Sequence, residues 1–271
     1  MPASFNYSGG NTLRFDVPLL TAKIISRPNR YVAIIELPDG SSARAHVPVG
    51  GRIGGLTLDR LPCLISGPYA GRSTDYTVGA IGSHYTLDES NFQWIGINQT
   101  ASNSYIRAFL KAELLSEITN STSGSDGSNE LRPEAVLDGS RIDFFLPGMD
   151  ESNLWIEVKT PLIKLSTSID PLLPVQTDFG KGAPSNRMPD QMEKVCAEIR
   201  KGHRGVLLGA FGYNLDTISS SATSEDRYLA NLNLDGWVDR GKLLGLEFWE
   251  VTFAINPESI ELMTCQRLFS K

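Results

Sequence analysis

Short apolar runs separated by turn-forming residues dominate the chain between residues 18 and 98. Such runs predict β-strands, and Pro38-Asp39-Gly40-Ser41 is a tight-turn sequence between two of them. Residues 1–12 are polar and rich in Gly and Asn, so we interpret them as a loose leader or sheet edge. Five or six short strands without a long helix predict a small barrel of the OB type. The predicted strands are 19–26, 31–37, 42–47, 61–65, 76–81 and 94–98.

Helical and strand periodicities alternate after residue 100. A helix over 103–118 is predicted by one apolar face, formed by Ile106, Phe109, Leu110, Leu114 and Ile118. Residues 119–130 form a Ser/Gly/Asn-rich insertion, and 165–188 are predicted to form a long loop beside a site. Further strands are predicted over 131–136, 140–146, 154–159, 205–212, 244–253 and 260–265, and helices over 189–201 and 224–241. The fold class is therefore mixed α/β, with an OB-like barrel over 1–100 and a mixed sheet flanked by helices over 101–271.

Three charged residues interrupt an otherwise apolar, aromatic-rich hairpin in the second half. Asp143 lies in its first strand, and Glu157 and Lys159 lie in its second. If Leu146 pairs with Leu154 across the turn, antiparallel pairing places Asp143 opposite Glu157, with their Cβ atoms about 5 Å apart. Lys159 follows Glu157 by two residues and therefore shares its face of the sheet.

Such an arrangement favours a metal site. Opposed carboxylates repel each other, and a half-buried pair has to take up a proton or a cation. Mg²⁺ and similar divalent ions prefer oxygen ligands, and a nearby lysine would orient water or stabilise developing negative charge. An acid-x-Lys triplet is also common on solvated strands, so the matching register of Asp143 is what favours a site.

Composition and charge limit the classes of partner. The chain has 271 residues, of which 41% are hydrophobic, and a net charge of −6 argues against strong non-specific nucleic-acid binding by the whole molecule. Residues 18–72 nevertheless contain seven basic side chains, six of them arginine, against three acidic ones. Arginine suits bidentate phosphate contacts, although an ordinary solvated β surface is the competing interpretation.

The chain shows no apolar run of membrane-spanning length and no secretory signal pattern, so we expect no membrane association. Its three cysteines are widely spaced, which favours a reducing compartment and no disulfide framework. We therefore expect an intracellular protein and leave cytoplasm and nucleus open.

Several segments carry a resemblance to known proteins. The hairpin resembles the core of PD-(D/E)xK nucleases, in which its three charged residues fill the Asp…Glu-x-Lys positions. More specifically, the chain resembles the sugar fermentation stimulation protein family. In the family's order, the matching segments are His46-Val47-Pro48-Val49-Gly50-Gly51-Arg52-Ile53, Arg72-Ser73-Thr74-Asp75-Tyr76, Ile97-Asn98 with Asn103, and Ala183-Pro184-Ser185-Asn186-Arg187. The chain departs from the family at Val49-Gly50, which replaces Asp-Pro, and at Gln191, which replaces a His.

The resemblance implies an OB-type barrel ahead of a PD-(D/E)xK nuclease-like domain. It also implies a metal-dependent nuclease acting on DNA or RNA, with Mg²⁺ or Mn²⁺ held by Asp143, Glu157 and an upstream acid. Glu134 is the favoured upstream acid, with Asp138 and Glu113 as competitors. The catalytic residues would be Asp143, Glu157, Lys159 and Glu134. The predicted nucleic-acid contacts are Arg27, Arg30, Arg44, Arg52, Arg72, Asn98, Asn103, Arg187 and Gln191.

Other functions remain open at this point. The alternative is a non-catalytic DNA-binding or regulatory protein of the same family. A carbohydrate-active enzyme is less favoured, because the lysine and the tight carboxylate pairing point to a metal. The sequence leaves open DNA or RNA, single or double strands, internal or terminal cleavage, and formation of a homo-oligomer.

Overall fold

The computed structural model of the chain describes residues 4–7, 9–48, 53–54, 58–88, 90–119, 131–148, 152–160, 175–176, 188–214, 223–226 and 237–269. The strands are β1 (Phe5–Tyr7), β2 (Thr12–Phe15), β3 (Leu20–Asn29), β4 (Val32–Glu36), β5 (Ser42–His46), β6 (Ile53–Gly54), β7 (Pro62–Ser66), β8 (Tyr76–Gly82), β9 (Trp94–Gly96), β10 (Arg132–Leu137), β11 (Ser140–Leu146), β12 (Leu154–Lys159), β13 (Val175–Gln176), β14 (Arg204–Phe211), β15 (Glu247–Ile255) and β16 (Ser259–Leu268). The helices are α1 (Gln99–Lys111), α2 (Ser116–Thr119), α3 (Met188–Ile199) and α4 (Trp237–Leu244). No helix in these described ranges is long and apolar enough to span a membrane.

The first half of the chain folds into a closed five-stranded barrel. Antiparallel pairing links β5 to β4, β4 to β3, β3 to β7 and β7 to β8, and a parallel pairing of β5 with β8 closes the ring. This connectivity is that of an OB barrel, so the predicted barrel is confirmed. Alternate side chains point inward, and Ile24, Ile35 and Val78 are fully buried in its core.

The second half is built on an eight-stranded mixed sheet with the order β1-β2-β16-β15-β14-β12-β11-β10. The three central strands, β12, β14 and β15, run parallel and are buried on both faces, as their nearly continuous apolar sequences require. Helix α1 packs against one face, and α3 and α4 contribute to the core on the other. The predicted mixed sheet flanked by helices is confirmed.

The beginning of the chain forms an edge of the large sheet, which is one of the two roles predicted for residues 1–12. Strands β1 and β2 pair with each other, and β2 pairs with β16, so both belong to the large sheet and not to the barrel. Leu13 and Phe15 alternate with exposed residues, and the Phe15 ring packs against Tyr105 of α1. The division into domains at residue 100 stays a prediction, because nothing in these contacts marks that boundary.

Two predicted helices have different limits. The helix predicted over 103–118 begins earlier, at Gln99, and ends at Lys111, and Glu113 adopts a left-handed backbone with φ of 58° that separates it from α2. For the helix predicted over 224–241, residues 227–236 lie outside the described ranges, and α4 begins at Trp237 and continues past the predicted end to Leu244. Residue 119 of the insertion predicted over 119–130 ends α2, and residues 120–130 and most of the predicted loop at 165–188 lie outside the described ranges.

A close backbone contact joins the barrel to the large sheet. The Gly96 amide at the end of β9 donates to the Gly212 carbonyl just after β14, at 2.8 Å. A Cβ atom on Gly96 would lie 2.6 Å from Cδ1 of Ile255 and 3.3 Å from the Gly212 backbone. Phe211 and Tyr213 continue from the sheet into the barrel core. The two halves therefore share apolar packing, and glycine is needed where they meet.

This contact gives a test of the joint. We expect Gly96→Val to lower the free energy of unfolding by about 1–3 kcal/mol, because the added methyl groups have no space. The control is Gly79→Ala, whose Cβ would meet its nearest atom at an ordinary 3.6 Å. Urea unfolding followed by fluorescence measures both variants, and equal stability of the two would contradict a steric requirement for glycine at position 96.

Candidate active site

The hairpin of β11 and β12 has the register that the sequence predicts. Leu146 pairs with Leu154 and Phe144 pairs with Ile156, which places Asp143 at the position opposite Glu157. The regular ladder ends there. One carboxylate oxygen of Asp143, Oδ2, accepts a hydrogen bond from the Val158 amide at 2.8 Å, so the side chain takes the place of a backbone acceptor.

Asp143 is held through both of its oxygens. Its Oδ1 accepts a hydrogen bond of 2.7 Å from Nδ2 of Asn103, which comes from α1. Burial raises the pKa of Asp143 above its ordinary value, and the charge of Glu134 adds to this shift. The Val158 amide, Lys159 and Asn103 oppose the shift. The carboxylate is therefore fixed in position, while each oxygen keeps a lone pair for a further ligand.

Glu157 lies deeper, and only 2% of its surface is exposed. Its Oε1 accepts from Nζ of Lys159 at 2.5 Å, whereas its Oε2 is buried and has no hydrogen-bond partner in the described structure. Burial raises the pKa of Glu157 to about 7, and the Asp143 charge adds to this shift, whereas Lys159 and a hydrogen bond from the Asp143 backbone oppose it. A buried acceptor without a partner costs about 1–3 kcal/mol, which a bound cation or a proton would offset.

Lys159 and Gln191 form the side of the site next to α3. Nζ of Lys159 lies 3.3 Å from Oε1 of Gln191, and the side chain of Lys159 is only 21% exposed. The amide nitrogen of Gln191 donates to the Arg141 carbonyl on β11 at 2.9 Å. Gln191, predicted as a nucleic-acid contact, therefore touches the lysine of the triplet.

Glu134 stands apart from the other two acids. Pairing of Pro133 with Phe144 and of Ala135 with Ile142 places it across from Asp143, but its backbone is left-handed, with φ of 49°. Its exposed carboxylate forms an ion pair with exposed Arg141 at 3.3 Å. Within the described part of the chain, no three His, Cys, Asp or Glu side chains are grouped so that they could hold a metal ion. A third-ligand role for Glu134 stays a prediction and requires this ion pair to open.

Helix α1 brings a second set of side chains to the site. Asn98 is its N-cap, with Oδ1 accepting from the Ala101 amide at 2.9 Å. Gln99, for which the sequence carries no signal of a role, donates to the carbonyl of Thr160 at 3.3 Å. The spacing between Asn98 and Asn103 thus serves a cap and a contact to Asp143, which engage one polar atom of each amide, and their predicted contacts to nucleic acid stay predictions.

Four of the predicted arginines, Arg27, Arg30, Arg44 and Arg72, lie on the barrel. Arg27 is half-buried and donates to the Arg30 carbonyl, and burial lowers its pKa. The exposed guanidinium groups of Arg30 and Arg72 lie over the rings of Tyr31 and Tyr69, at 4.3 and 4.4 Å from the ring centroids. Exposed Arg44 is on β5.

Two of the predicted contacts, Arg52 and Arg187, lie outside the described residues, as do Val49 and Gly50. The two residues that follow Arg52 form β6, which pairs antiparallel with β13. This ribbon links the segment after Arg52 to the segment between Lys159 and α3. The connection between barrel strands β5 and β7 therefore pairs with the connection between β12 and α3.

Comparisons with known proteins show the family to which the chain belongs. No protein-family model matches the chain. It is 25% identical over 268 residues to a sugar fermentation stimulation protein homolog of Methylorubrum extorquens, which covers 93% of each chain. It is 30% identical over 198 residues to the homolog of Maricaulis maris, covering 72% of this chain and 75% of that protein. The chain belongs to the sugar fermentation stimulation protein family.

A solved structure shows the same fold. SfsA of Pyrococcus furiosus, determined in complex with Ca²⁺, is similar to this chain with a TM-score of 0.64 at 14% sequence identity. The similarity covers 92% of this chain and 94% of that one. The likeness therefore extends over both the barrel and the large sheet, and it confirms the predicted fold class.

The buried acid gives a pH prediction. The pKa of Glu157 is about 7 in the folded protein against 4.5 for an ordinary glutamate. The folded state therefore binds the proton more tightly, and the metal-free protein should lose stability as pH rises from 4.5 to about 7. Urea unfolding in EDTA across this range should show the loss, and Glu157→Gln should flatten it. An unchanged pH slope in that variant would contradict the assignment of this loss to buried Glu157.

Proposed function

We propose that this protein is a metal-dependent nuclease that hydrolyses phosphodiester bonds of DNA or RNA, with the barrel binding the nucleic acid. The observation that carries the proposal is the buried Oε2 of Glu157, which has no partner in the described structure and lies on the carboxylate opposite Asp143. A buried and a partly buried acid in this relation are unfavourable unless a cation or a proton is shared between them.

The donor set fits a hard divalent cation. Asp143 and Glu157 offer carboxylate oxygens, which suit Mg²⁺ or Mn²⁺, and Glu134 would join them if it left Arg141. Such an ion, when bound, would supply an activated water and offset charge on the phosphate. Asn103 and the Val158 amide keep the Asp143 carboxylate in place for this role.

Lys159 supplies a fixed positive charge beside the acids. Two of its three N–H groups are directed to Glu157 and Gln191, which leaves one for a phosphate oxygen. Hydrolysis forms a bond from water oxygen to phosphorus and breaks the bond from phosphorus to a sugar oxygen, which takes up a proton. The ammonium would stabilise the negative charge that develops on the phosphate oxygens during this exchange.

The test is cleavage of labelled single- and double-stranded DNA and RNA with Mg²⁺ or Mn²⁺. We expect activity that EDTA abolishes, and losses of about 100-fold or more in Asp143→Asn and Lys159→Ala, because each removes charge at the reacting phosphate. The controls are Asp39→Asn and Lys201→Ala, which change exposed residues of the same types elsewhere. Absence of metal-dependent cleavage, or equal cleavage by the site variants, would refute the proposal.

A second candidate is a non-catalytic nucleic-acid-binding protein with a regulatory role. The observation favouring it is the pair of exposed arginine–tyrosine stacks on the barrel, formed by Arg30 with Tyr31 and by Arg72 with Tyr69. OB barrels bind single strands through basic and aromatic side chains together, and such binding needs no active metal site.

Binding by the barrel is tested by replacing both arginines with alanine. The double variant Arg30→Ala/Arg72→Ala should bind a single-stranded oligonucleotide more weakly, with the slope of log K against log salt reduced by about 0.7 for each phosphate that is no longer neutralised. Arg240→Ala is the matched control, because Arg240 stacks on Trp237 of α4, away from the barrel. Unchanged affinity and salt slope in the double variant would exclude these arginines from the interface.

A further inference from the structure

The ammonium group of Lys159 lies between acceptors from two different elements. Oε1 of Glu157 on β12 is 2.5 Å from Nζ, and Oε1 of Gln191 on α3 is 3.3 Å from it. The side chain of Lys159 is 21% exposed, so water competes only weakly for these contacts. The lysine head is therefore held by an acid and by an amide that is 32 residues away in the sequence.

The amide of Gln191 has only one favourable orientation. Its Nε2 donates to the Arg141 carbonyl at 2.9 Å, and a carbonyl oxygen can only accept. A flipped amide would set NH₂ against the Lys159 ammonium and oxygen against the Arg141 carbonyl, which are both repulsive. The contact to β11 therefore directs the amide oxygen towards the lysine.

Neighbouring contacts fix α3 at this point. Oδ2 of Asp190 accepts from Oγ of Ser140 and from Nζ of Lys194, both at 2.9 Å. Met192, the residue on the other side of Gln191, is buried in the core below the helix. The backbone of Gln191 is thus held against β11 from both sides, which keeps its side chain within reach of Lys159.

We propose that Gln191 is a positioning residue, which holds Lys159 on Oε1 of Glu157 and thereby leaves Oε2 free beside Asp143. Its oxygen and one N–H of its amide are engaged within the protein, and we assign these two contacts to holding the lysine, while the second N–H stays open to the phosphate contact that the sequence predicts. The catalytic consequence rests on the proposed nuclease function, whereas the placement of the lysine can be measured without it.

The position of the lysine also affects the acid pair. Without the amide oxygen, the flexible ammonium can move between the two oxygens of Glu157 or towards Asp143. It would then occupy the space between the two carboxylates. A bound metal ion would need that same space to offset the repulsion between them. Gln191 therefore separates the lysine from the position between the two acids.

Kinetics provide the first test. Gln191→Leu keeps the size of the side chain but removes both hydrogen bonds, and we expect kcat to fall about 10- to 100-fold, as for a misplaced catalytic group. KM for the oligonucleotide should stay unchanged, because the role assigned to Gln191 is to hold Lys159 and not the substrate. Glu193→Gln on the same helix is the matched control, since Glu193 is exposed and pairs with Arg240. Gln191→His should recover most of kcat, because neutral imidazole has one donor and one acceptor. A raised KM with unchanged kcat would overturn the inference.

A second measurement is independent of activity. In the metal-free protein, the ¹⁵Nζ signal of Lys159, assigned by its loss in Lys159→Arg, should be visible because bonded ammonium protons exchange slowly. Gln191→Leu should shift and broaden it, and Glu193→Gln should not. An unchanged signal in Gln191→Leu overturns the inference whether or not the protein cleaves nucleic acid. If wild type shows no nuclease activity, the proposed function fails and this signal alone decides the position of Lys159. Gln191→Met replaces the leucine variant if that variant does not fold.

Discussion

A buried and a partly buried carboxylate facing each other across a hairpin are the constraint on which the rest of this site depends. The strands β11 and β12 stop pairing regularly at Asp143, and its carboxylate accepts the Val158 amide that a backbone carbonyl would otherwise accept. The side chain can therefore remain inside the sheet without leaving a backbone donor unpaired. Oε2 of Glu157 has no hydrogen-bond donor among the described residues, and burial of this carboxylate raises its pKa. A bound cation would offset the free-energy cost of burying this acid.

The surrounding elements each stabilise one part of this arrangement. Helix α1 fixes Asp143 through Asn103, and α3 fixes Lys159 through Gln191. Helix α1 follows directly from the last barrel-associated strand, and the amides just before its start bond to the Gly79 carbonyl of β8. The same helix thus contacts the barrel at one end and an acid of the site further along. This continuity, together with the glycine contact between the halves, gives the barrel a defined position relative to the acids.

The family and the fold agree with this chemistry without deciding it. Membership in the sugar fermentation stimulation protein family and the shared fold of Pyrococcus furiosus SfsA account for the barrel and the mixed sheet. A fold can host several functions, so a nuclease activity is inferred from the acids and the lysine and not from the fold. The exposed arginine–tyrosine pairs support nucleic acid as the partner in either candidate function.

Sequence alone determined the features that depend on local period and pairing, and only the tertiary structure decided which distant residues reach the site. Alternation and turn chemistry predicted the barrel strands, and the register of one hairpin placed Asp143 opposite Glu157, because side chains in a strand repeat every two residues. The helix limits were less accurate, since the left-handed Glu113 leaves no periodic signal. Strand β2 joins β16 at the far end of the chain, Asn103 lies 40 residues before Asp143, and Gln191 lies 32 residues after Lys159. Local patterns carry no information about such contacts, because they arise when helices pack on a sheet whose strand order is not that of the sequence. The sequence thus identified the charged groups, and packing determined how each is held.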